Sequence, residues 1–249
     1  MNFTQGEFIY LDKPYGMSSF GALARVRYLV SQRLGVKRLK TGHAGTLDPL
    51  ATGVLILCTG RKTKEIESLQ QQTKEYVATM QLGATTPSFD MEHTVDSTYP
   101  TAHITRSLVE QVLGRFVGEV SQVPPEYSAC KVGGARAYKL KRNGCDVELK
   151  PKTLRIDEIE LLDFDAGRKR VAIRVVCGKG TYIRALARDI GIELGSGAFL
   201  TSLRRTRVGS VRAEDCVTLD AFPAWLAQQD IEDNILKGDN TNETDTIQV

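Results

Sequence analysis

Long apolar runs, closely spaced cysteine pairs and histidine clusters are all missing from this sequence. Its 249 residues include five cysteines and three histidines, with no Cys-x-x-Cys pair, so a zinc site is not expected. No apolar run approaches the roughly eighteen residues that cross a bilayer, and the first residues show neither the basic stretch nor the apolar core of a signal peptide. These absences predict a cytoplasmic protein with reduced cysteines, no metal ion and no membrane contact.

Acidic residues are unevenly spread along the chain. The formal net charge is +3, but residues 228–249 carry six acids against one lysine, which leaves +8 for residues 1–227. Hydrophobic residues make up 41% of the chain, enough for the core of one large domain. We therefore predict a folded domain over 1–227 and an acidic, disordered tail over 228–249.

Positive charge is concentrated in three stretches. They contain Arg25, Arg27, Arg33, Lys37, Arg38 and Lys40; then Lys131, Arg136, Lys139, Lys141 and Arg142; then Arg204, Arg205, Arg207 and Arg212. One such stretch alone usually indicates no more than a solvated face. Three together favour a polyanionic partner such as RNA.

Helical and strand-like patterns alternate irregularly. Helices are predicted over 19–34, with Ser18 or Ser19 as N-cap, over 104–116, with Thr105 as a cap, and over 182–194. Strands are predicted over 7–11, 54–58, 75–82, 157–164 and 170–177. Since no regular β-α-β period appears, the pattern favours an α+β fold, with a mixed, mostly antiparallel sheet and flanking helices.

The most informative segment is residues 42–55, GHAGTLDPLATGVL. Its glycines let the backbone bend or approach a ligand closely, and Pro49 fixes a turn directly after Asp48. The apolar run 54–58 that follows is typical of a buried strand or helix, so Asp48 is held at the edge of a rigid element. A lone Asp-Pro usually closes a turn or caps a helix, and only the likeness of the whole segment to a known family signature favours a buried catalytic carboxylate here.

This segment resembles the signature of the TruB-type tRNA pseudouridine synthases, in which the matching aspartate is catalytic. Other segments resemble motifs of that family in the same order: LDKPYGMSS (11–19), KEY (74–76), GATTPSFD (83–90), PPEYSACKVGGARAY (124–138), CGKGTYIR (177–184) and LRRT (203–206). The resemblance covers residues 8 to about 212. It implies the pseudouridine synthase fold and a reaction without a cofactor.

The resemblance also implies a set of site residues. The catalytic residues would be Asp48, its guanidinium partner Arg184, and Tyr76, which stacks on the extruded base and takes part in proton transfer. Substrate binding would involve His43, which takes the place of the flipped base, with Tyr76, Tyr182, Leu203, Lys13 and Asp90. Lys13, Lys131 and Arg204 are expected to contact the RNA backbone.

The implied reaction is isomerisation of uridine 55 in the T loop of tRNA. The bond from C1′ to N1 breaks, the uracil rotates, and C1′ joins C5, without oxidation or hydrolysis. Asp48 fits three roles, as a nucleophile at C6, as a nucleophile at C1′, or as the group that acts on the 2′ proton in a glycal route. The base must leave its stack first, which costs a few kcal/mol.

Three alternatives compete with this interpretation. A guide-RNA-type pseudouridine synthase resembles the chain around Asp48, but such relatives carry an RNA-binding PUA domain for which we expect no room here. An RNA-binding or tRNA-folding module would not need Asp48. An aspartyl-phosphate enzyme would need a second carboxylate and magnesium ligands that the pattern lacks.

Three departures from the family pattern accompany the resemblance: the expected lack of a PUA domain, residues 86–89 in place of a more acidic stretch, and Gly178 where serine is common. Without a PUA domain, the catalytic domain itself must dock the tRNA. No heptad or long apolar stripe remains for a second copy, so we expect a monomer.

Overall fold

This computed structural model describes residues 1–128, 130–132 and 134–232. Within them, ten of the fourteen strands form one mixed sheet, and the other four form two sheets of two strands each. The strands are β1 (Phe8–Lys13), β2 (Thr41–His43), β3 (Ala51–Thr59), β4 (Lys74–Leu82), β5 (Ala84–Thr85), β6 (Ser97–Thr98), β7 (Gly118–Gln122), β8 (Lys131–Val132), β9 (Ala135–Arg136), β10 (Lys152–Asp165), β11 (Arg170–Cys177), β12 (Ala198–Val208), β13 (Val211–Arg212) and β14 (Val217–Thr218). The helices are α1 (Ser19–Leu34), α2 (Ile66–Gln71), α3 (Arg106–Gly114), α4 (Ala137–Arg142), α5 (Ile183–Glu193) and α6 (Phe222–Ala227), with 3-10 turns at Gly60–Glu65 and Ala213–Asp215.

The sheet is mostly antiparallel, as predicted. Its strand order is β14-β1-β3-β12-β4-β11-β10-β7, with β2 beside β3 and β13 beside β12. Within the described residues, only β1 with β14 and β3 with β12 pair in parallel in this sheet. Strand β12 comes late in the chain but lies between β3 and β4, so it joins the strand after Asp48 to the strand that carries Tyr76.

Helix α1 has the predicted bounds because both of its ends are capped. The Ser18 side chain accepts a hydrogen bond from the Gly21 amide, and Gly35 ends the helix with a left-handed φ of 66°. The predicted helix 104–116 is shorter, as α3, and begins after its Thr105 cap. The prediction over 182–194 corresponds to α5.

The five predicted strands are all present, as β1, β3, β4, β10 and β11, although β10 begins five residues earlier than expected. The other nine strands of the described residues were not predicted, among them β7 and β12 of the large sheet. In β12 three arginines, at 204, 205 and 207, stand in the second half of the strand, so its sequence shows no simple apolar alternation. Their partners lie on distant segments, which local periodicity does not reveal.

Two large apolar clusters hold the helices on the sheet. In the first, α3 and α5 pack on the central strands, for example through Val109 and Ile190 against Met80 and Ile173. In the second, α1 and α6 pack on β1 and β3. Helix α1 is therefore fixed to the strand that follows Asp48.

Gly53 allows β3 and β12 to approach closely. It pairs with Arg205 in parallel register and has a φ of 102°. A Cβ at this position would lie 2.1 Å from the Arg205 carbonyl oxygen. Only glycine fits this contact, which is next to the loop that carries Asp48.

The two ends of the described chain meet. The Met1 amino group donates to the Asp230 carbonyl, and the Glu232 amide donates to the Met1 carbonyl at 3.0 Å. Most of the predicted acidic tail, residues 233–249, lies outside the described residues. Among the residues described, no helix has the length and apolar character that crossing a membrane requires.

Candidate active site

Asp48 lies in the loop between β2 and β3, and backbone and side-chain hydrogen bonds hold this loop. The Ser19 hydroxyl accepts from the Leu47 amide at 2.8 Å and donates to the Leu47 carbonyl at 2.9 Å. The Gly16 amide donates to the Pro49 carbonyl at 2.9 Å, and the Ala51 amide to the Asp48 carbonyl at 3.1 Å. The residues on both sides of Asp48 are thus attached to the start of α1.

Arg205 fixes both arms of the same loop from inside the protein. Its side chain is buried on β12; Nε donates to the Val54 carbonyl at 2.7 Å and Nη2 to the Gly45 carbonyl at 3.1 Å. A buried guanidinium needs several acceptors to offset its lost hydration, and backbone carbonyls supply them here. Arg205 therefore shapes the loop and is not available to contact a phosphate.

Arg184 makes the contact with Asp48 that the sequence predicted. Its Nε donates to Asp48 Oδ2 at 2.8 Å. Nη1 donates to the Ser88 carbonyl at 3.0 Å and Nη2 to the Tyr127 carbonyl at 2.9 Å. Because these two carbonyls orient the guanidinium plane, Arg184 presents its Nε to Asp48 in a fixed direction.

The ion pair is asymmetric, and this corrects the expectation of a buried aspartate. The Arg184 side chain is 4% exposed, whereas that of Asp48 is 37% exposed. The carboxylate is therefore partly exposed to solvent in the free protein. Water would have to leave when a substrate covers Asp48.

Asp90 belongs to the support of Arg184. Its buried carboxylate lies 3.7 Å from Arg184 Nε and accepts from Ser88 Oγ at 2.6 Å and from the Glu92 amide at 3.0 Å. Asp90 also lines a small pocket together with Asp48, Arg184 and Leu203. The structure thus gives Asp90 a positioning role beside Arg184, and its predicted contact with substrate stays a prediction.

A cleft of about 300 Å³ lies beside the Asp48–Arg184 pair. It is lined by Gly45, Thr46, Leu47, Asp48, Gln70, Lys74, Tyr76, Ser128, Gly178, Lys179, Gly180, Thr181, Tyr182, Ile183, Arg184, Leu203 and Arg205. Five predicted site residues, Asp48, Tyr76, Tyr182, Arg184 and Leu203, therefore meet in one cavity. It is large enough for a planar base, and its aromatic and aliphatic side chains are accompanied by five charged residues: Asp48, Lys74, Lys179, Arg184 and Arg205.

Both tyrosines in the cleft remain protonated at neutral pH. Burial raises the pKa of Tyr76, although the neighbouring Arg205 guanidinium opposes that change. Burial also raises the pKa of Tyr182, and a hydrogen bond with Ser128 opposes it. Each ring can pack against a base as a neutral phenol.

Gln122 positions the start of α5. It is buried on β7; its side chain donates to the Tyr182 carbonyl at 3.2 Å and accepts from the Tyr182 amide at 2.9 Å. Tyr182 is the N-cap residue of α5 and has no side-chain capping bond of its own. The glutamine amide thus fixes the backbone two residues before Arg184.

Two lysines near the cleft are buried rather than free for RNA. Lys13 Nζ donates to the carbonyls of Pro14, Met17 and Pro49 at 2.8, 2.6 and 3.4 Å, and burial lowers its pKa to about 8. Lys74 Nζ donates to two backbone carbonyls, and burial lowers its pKa to about 8. The predicted phosphate contact by Lys13 is corrected, because this side chain is fully buried and joins the 14–17 turn to the Asp48 loop.

His43 lies near the cleft but not in its wall. It is half-buried on β2, where it pairs with Leu57 of β3. It precedes Gly45, the first lining residue of the cleft, by two positions. The predicted contact with the place of the flipped base therefore stays a prediction.

The third basic stretch does not form a free cationic surface. Arg204 forms a two-bond pair with Asp12, at 3.0 and 2.7 Å, and Arg207 lies 3.7 Å from Glu75. Arg205 is internal. The expectation that Arg204 contacts phosphate is thus weakened by its carboxylate partner, and the Lys131 side chain lies outside what the structure describes.

Comparison with known proteins agrees with the geometry. The family model of the TruB family pseudouridylate synthase N-terminal domain matches residues 32–183, and that of the tRNA pseudouridylate synthase B C-terminal domain matches residues 184–238. A Phocaeicola vulgatus protein named tRNA pseudouridine synthase B is 63% identical over 94% of this chain and 99% of its own length.

The chain belongs to the TruB family of pseudouridylate synthases. The predicted family, its enzyme class and the α+β fold are confirmed. The N-terminal model contains Asp48 and the C-terminal model begins at Arg184. The ion pair at the cleft therefore joins the two parts that characterise TruB proteins.

Solved structures share this fold. A chain of a Cbf5-Nop10-Gar1 complex has a TM-score of 0.65 at 30% identity and matches 91% of this chain. A chain of an H/ACA RNP bound to a substrate RNA containing 2′-deoxyuridine has a TM-score of 0.62 at 28% identity and matches 90%. This TruB chain spans 57% and 56% of those two chains.

Sequence reasoning missed the supporting residues of this TruB site. Ser19 was predicted only as a helix cap, Gln122 was given no role, and Arg205 was assigned to a basic surface. Their partners are 28, 60 and 151 or more residues away. One local signal was available for Ser19: a helix needs only one N-cap, and Ser18 already supplies it, so a second serine indicates another role.

Proposed function

We propose that this chain isomerises uridine 55 in the T loop of tRNA to pseudouridine, with Asp48 as the catalytic carboxylate. The observation that carries the proposal is the Asp48–Arg184 ion pair at a cleft with aromatic and aliphatic walls. Family membership supports the isomerisation of a tRNA uridine. The name of the Phocaeicola relative, tRNA pseudouridine synthase B, supports tRNA as the substrate.

The reaction needs a carboxylate, a pocket that retains the detached base and a path for one proton. The C1′–N1 bond breaks and a C1′–C5 bond forms; C5 loses its proton and N1 gains one, so atoms and charge balance. Asp48 is close enough to the cleft to attack the base or the sugar, or to act on the 2′ proton. Arg184 stabilises its charged form as the base covers it.

The walls of the cleft have separate roles. Tyr76 and Leu203 line the cleft from the adjacent strands β4 and β12, and Tyr182 lines it from the start of α5, so we expect these three side chains to contact a flipped uracil. Unstacking a base costs a few kcal/mol, and stacking on an aromatic ring offsets that cost. When the base enters, water leaves Asp48, and its interaction with Arg184 strengthens in the drier site.

A guide-RNA-type enzyme remains the second candidate, favoured by the fold shared with the Cbf5 chain. The higher identity and the nearly complete coverage of the Phocaeicola relative favour a tRNA enzyme that acts alone. An RNA-binding or tRNA-folding module is the third candidate. It has no use for a fixed carboxylate that projects into a cavity.

The test is to incubate the purified chain with an unmodified tRNA transcript and to map pseudouridine by primer extension after carbodiimide treatment. The proposal expects one stop, at position 55, without any added guide RNA or protein. Stops at other uridines would contradict the target. A reaction that starts only when a guide RNA is added would favour the second candidate.

A further inference from the structure

One stretch of the described chain is basic, and its cations form no ion pair with a carboxylate of the described residues. No aspartate or glutamate occurs between Asp12 and Asp48. The segment between them carries the six exposed cations of the first basic stretch: Arg25, Arg27, Arg33, Lys37, Arg38 and Lys40. Within the described residues, none of the six has a carboxylate oxygen within 4.0 Å.

Four of these cations border a groove, here called the α1–β2 groove. It has a volume of about 890 Å³ and lies between the second half of α1 and the segment that leads into β2. Arg27 is on the helix side, and Lys37, Arg38 and Lys40 are on the other. Tyr28, which is 55% exposed, also lines the groove.

The cations of this groove differ from several cations of the other two basic stretches, which have carboxylate partners or are buried. Arg204 and Arg207 of the third stretch have carboxylate neighbours, and Arg205 is buried. In the second stretch, Lys141 pairs with Glu126 at 2.8 Å. Positive charge that no protein carboxylate neutralises attracts a polyanion strongly, and the groove gathers four such cations, Arg27, Lys37, Arg38 and Lys40, around one concave surface.

The groove is rigidly connected to the site of chemistry. Helix α1 begins at Ser19, which holds the Asp48 loop through Leu47. Arg27 is eight residues further along α1, or about 12 Å at the rise of an α-helix. A chain of RNA whose target base enters the cleft would have to extend several nucleotides to reach the groove.

We propose that the α1–β2 groove binds the phosphodiester backbone of the substrate RNA outside the loop that carries the target uridine. This inference rests on the proposed function for the identity of the RNA. Ammonium and guanidinium groups bind phosphate oxygens through charge-assisted hydrogen bonds that carry no base information. The groove therefore contributes affinity for folded tRNA, not choice of the target base.

The experiment compares two triple variants of the full chain by fluorescence anisotropy with labelled, unmodified RNA. The first is Lys37→Gln, Arg38→Gln, Lys40→Gln. The matched control is Arg168→Gln, Lys169→Gln, Arg170→Gln, which removes the same charge from exposed positions in the β10–β11 turn and at the first residue of β11. Each protein is titrated with the whole tRNA transcript and with a loop-only oligonucleotide, at several salt concentrations.

The groove variant should bind whole tRNA about tenfold more weakly or worse near physiological salt. Its plot of log affinity against log salt should flatten by about two to three units of slope, since each lost phosphate contact removes about 0.7 to 1. The control variant should stay within about twofold of the unaltered protein, and the loop-only RNA should bind all three proteins alike. Unfolding curves verify that both variants fold.

Equal weakening by the two variants would overturn the proposal, because only net charge would then matter. Unchanged affinity of the groove variant, or equal weakening for the loop-only RNA, would overturn it too. Selective loss of binding to an acidic protein, with RNA binding intact, would assign the groove to another partner. Failure of the unaltered protein to bind tRNA would instead count against the proposed function itself.

Discussion

The Asp48–Arg184 ion pair joins two side chains that differ in their burial. Arg184 is buried and held by two backbone carbonyls, whereas Asp48 is partly open to solvent. The buried guanidinium holds the Asp48 carboxylate in one direction before a base arrives, through the 2.8 Å hydrogen bond from its Nε. Arg184 is thus already fixed in the free protein, whereas Asp48 loses its contact with solvent only when a substrate covers it.

Replacement of Arg184 tests whether the direction of its guanidinium matters in addition to its charge. Arg184→Gln should lower turnover at least about 100-fold and the free energy of unfolding by about 2–5 kcal/mol, because it leaves the buried Asp90 carboxylate without its cation. Arg184→Lys keeps the charge but loses the planar fork, so most of the stability should return while turnover stays low. Thermal unfolding and single-turnover assays measure both. Full activity of Arg184→Lys would contradict the claim that direction, and not charge alone, matters.

At the residue scale, the sequence predicted which side chains meet but not how exposed they are. The motifs gave Asp48, Arg184, Tyr76, Tyr182 and Leu203, and the structure brings all five to one cleft. Exposure depends on partners that motifs do not contain. Arg204, for example, is neutralised by a residue 192 positions away.

Among the elements, the start of α1 has two adjacent serines with different functions. Ser18 caps the helix, and Ser19 holds Leu47. Ser19→Ala should lower the free energy of unfolding by about 1–3 kcal/mol and turnover by about tenfold or more, because the Asp48 loop loses two hydrogen bonds. Ser18→Ala should cost about 1 kcal/mol of stability and leave turnover unchanged.

Chemical denaturation measures the free energy of unfolding of the two serine variants, and steady-state assays measure their turnover. Equal turnover in both, after correction for the folded fraction, would mean that the Ser19 hydrogen bonds do not position the loop.

The β3–β12 contact gives a second prediction. In Gly53→Ala the new Cβ would meet the Arg205 carbonyl oxygen, so we expect a cost above about 4 kcal/mol or no folded protein. Gly35→Ala is the matched control, since Gly35 also has a positive φ but no atom within 4 Å of the position that an added Cβ would take. It should cost only about 1 kcal/mol. Similar unfolding midpoints for both variants would contradict the steric account.

The elements were predictable where they depend on local signals. Helix α1 has its caps and its apolar stripe in its own sequence, so its bounds followed directly. Strand β12 was missed because its arginines are satisfied by Asp12, by the backbone of the Asp48 loop and by Glu75, all far away in the chain. Local sequence patterns do not predict a strand whose polar side chains are paired with residues far away in the chain.

On the scale of the whole molecule, the N-terminal and C-terminal family regions form one sheet. Strand β12 from the second region lies between β3 and β4 of the first, so the two regions share a core and a cleft. The predicted single domain over 1–227 is consistent with this arrangement, and it leaves the Asp48–Arg184 contact dependent on the whole fold.

We predict that the chain is a monomer in solution, because no heptad or long apolar stripe was found in its sequence. Multi-angle light scattering should give a mass near the 27.5 kDa of one chain over a wide range of concentrations. A stable mass of twice that value would contradict the prediction.

The most direct test of the central claim is tritium release from a tRNA transcript that contains [5-³H]uridine. The unaltered chain should release tritium from one uridine, Asp48→Asn should be slower by at least about 10³-fold while it still binds tRNA, and a transcript changed at position 55 should release none. Asp163→Asn, an exposed change on β10, serves as the control and should match the unaltered chain. Equal release by Asp48→Asn and the unaltered chain would show that Asp48 is not the catalytic carboxylate.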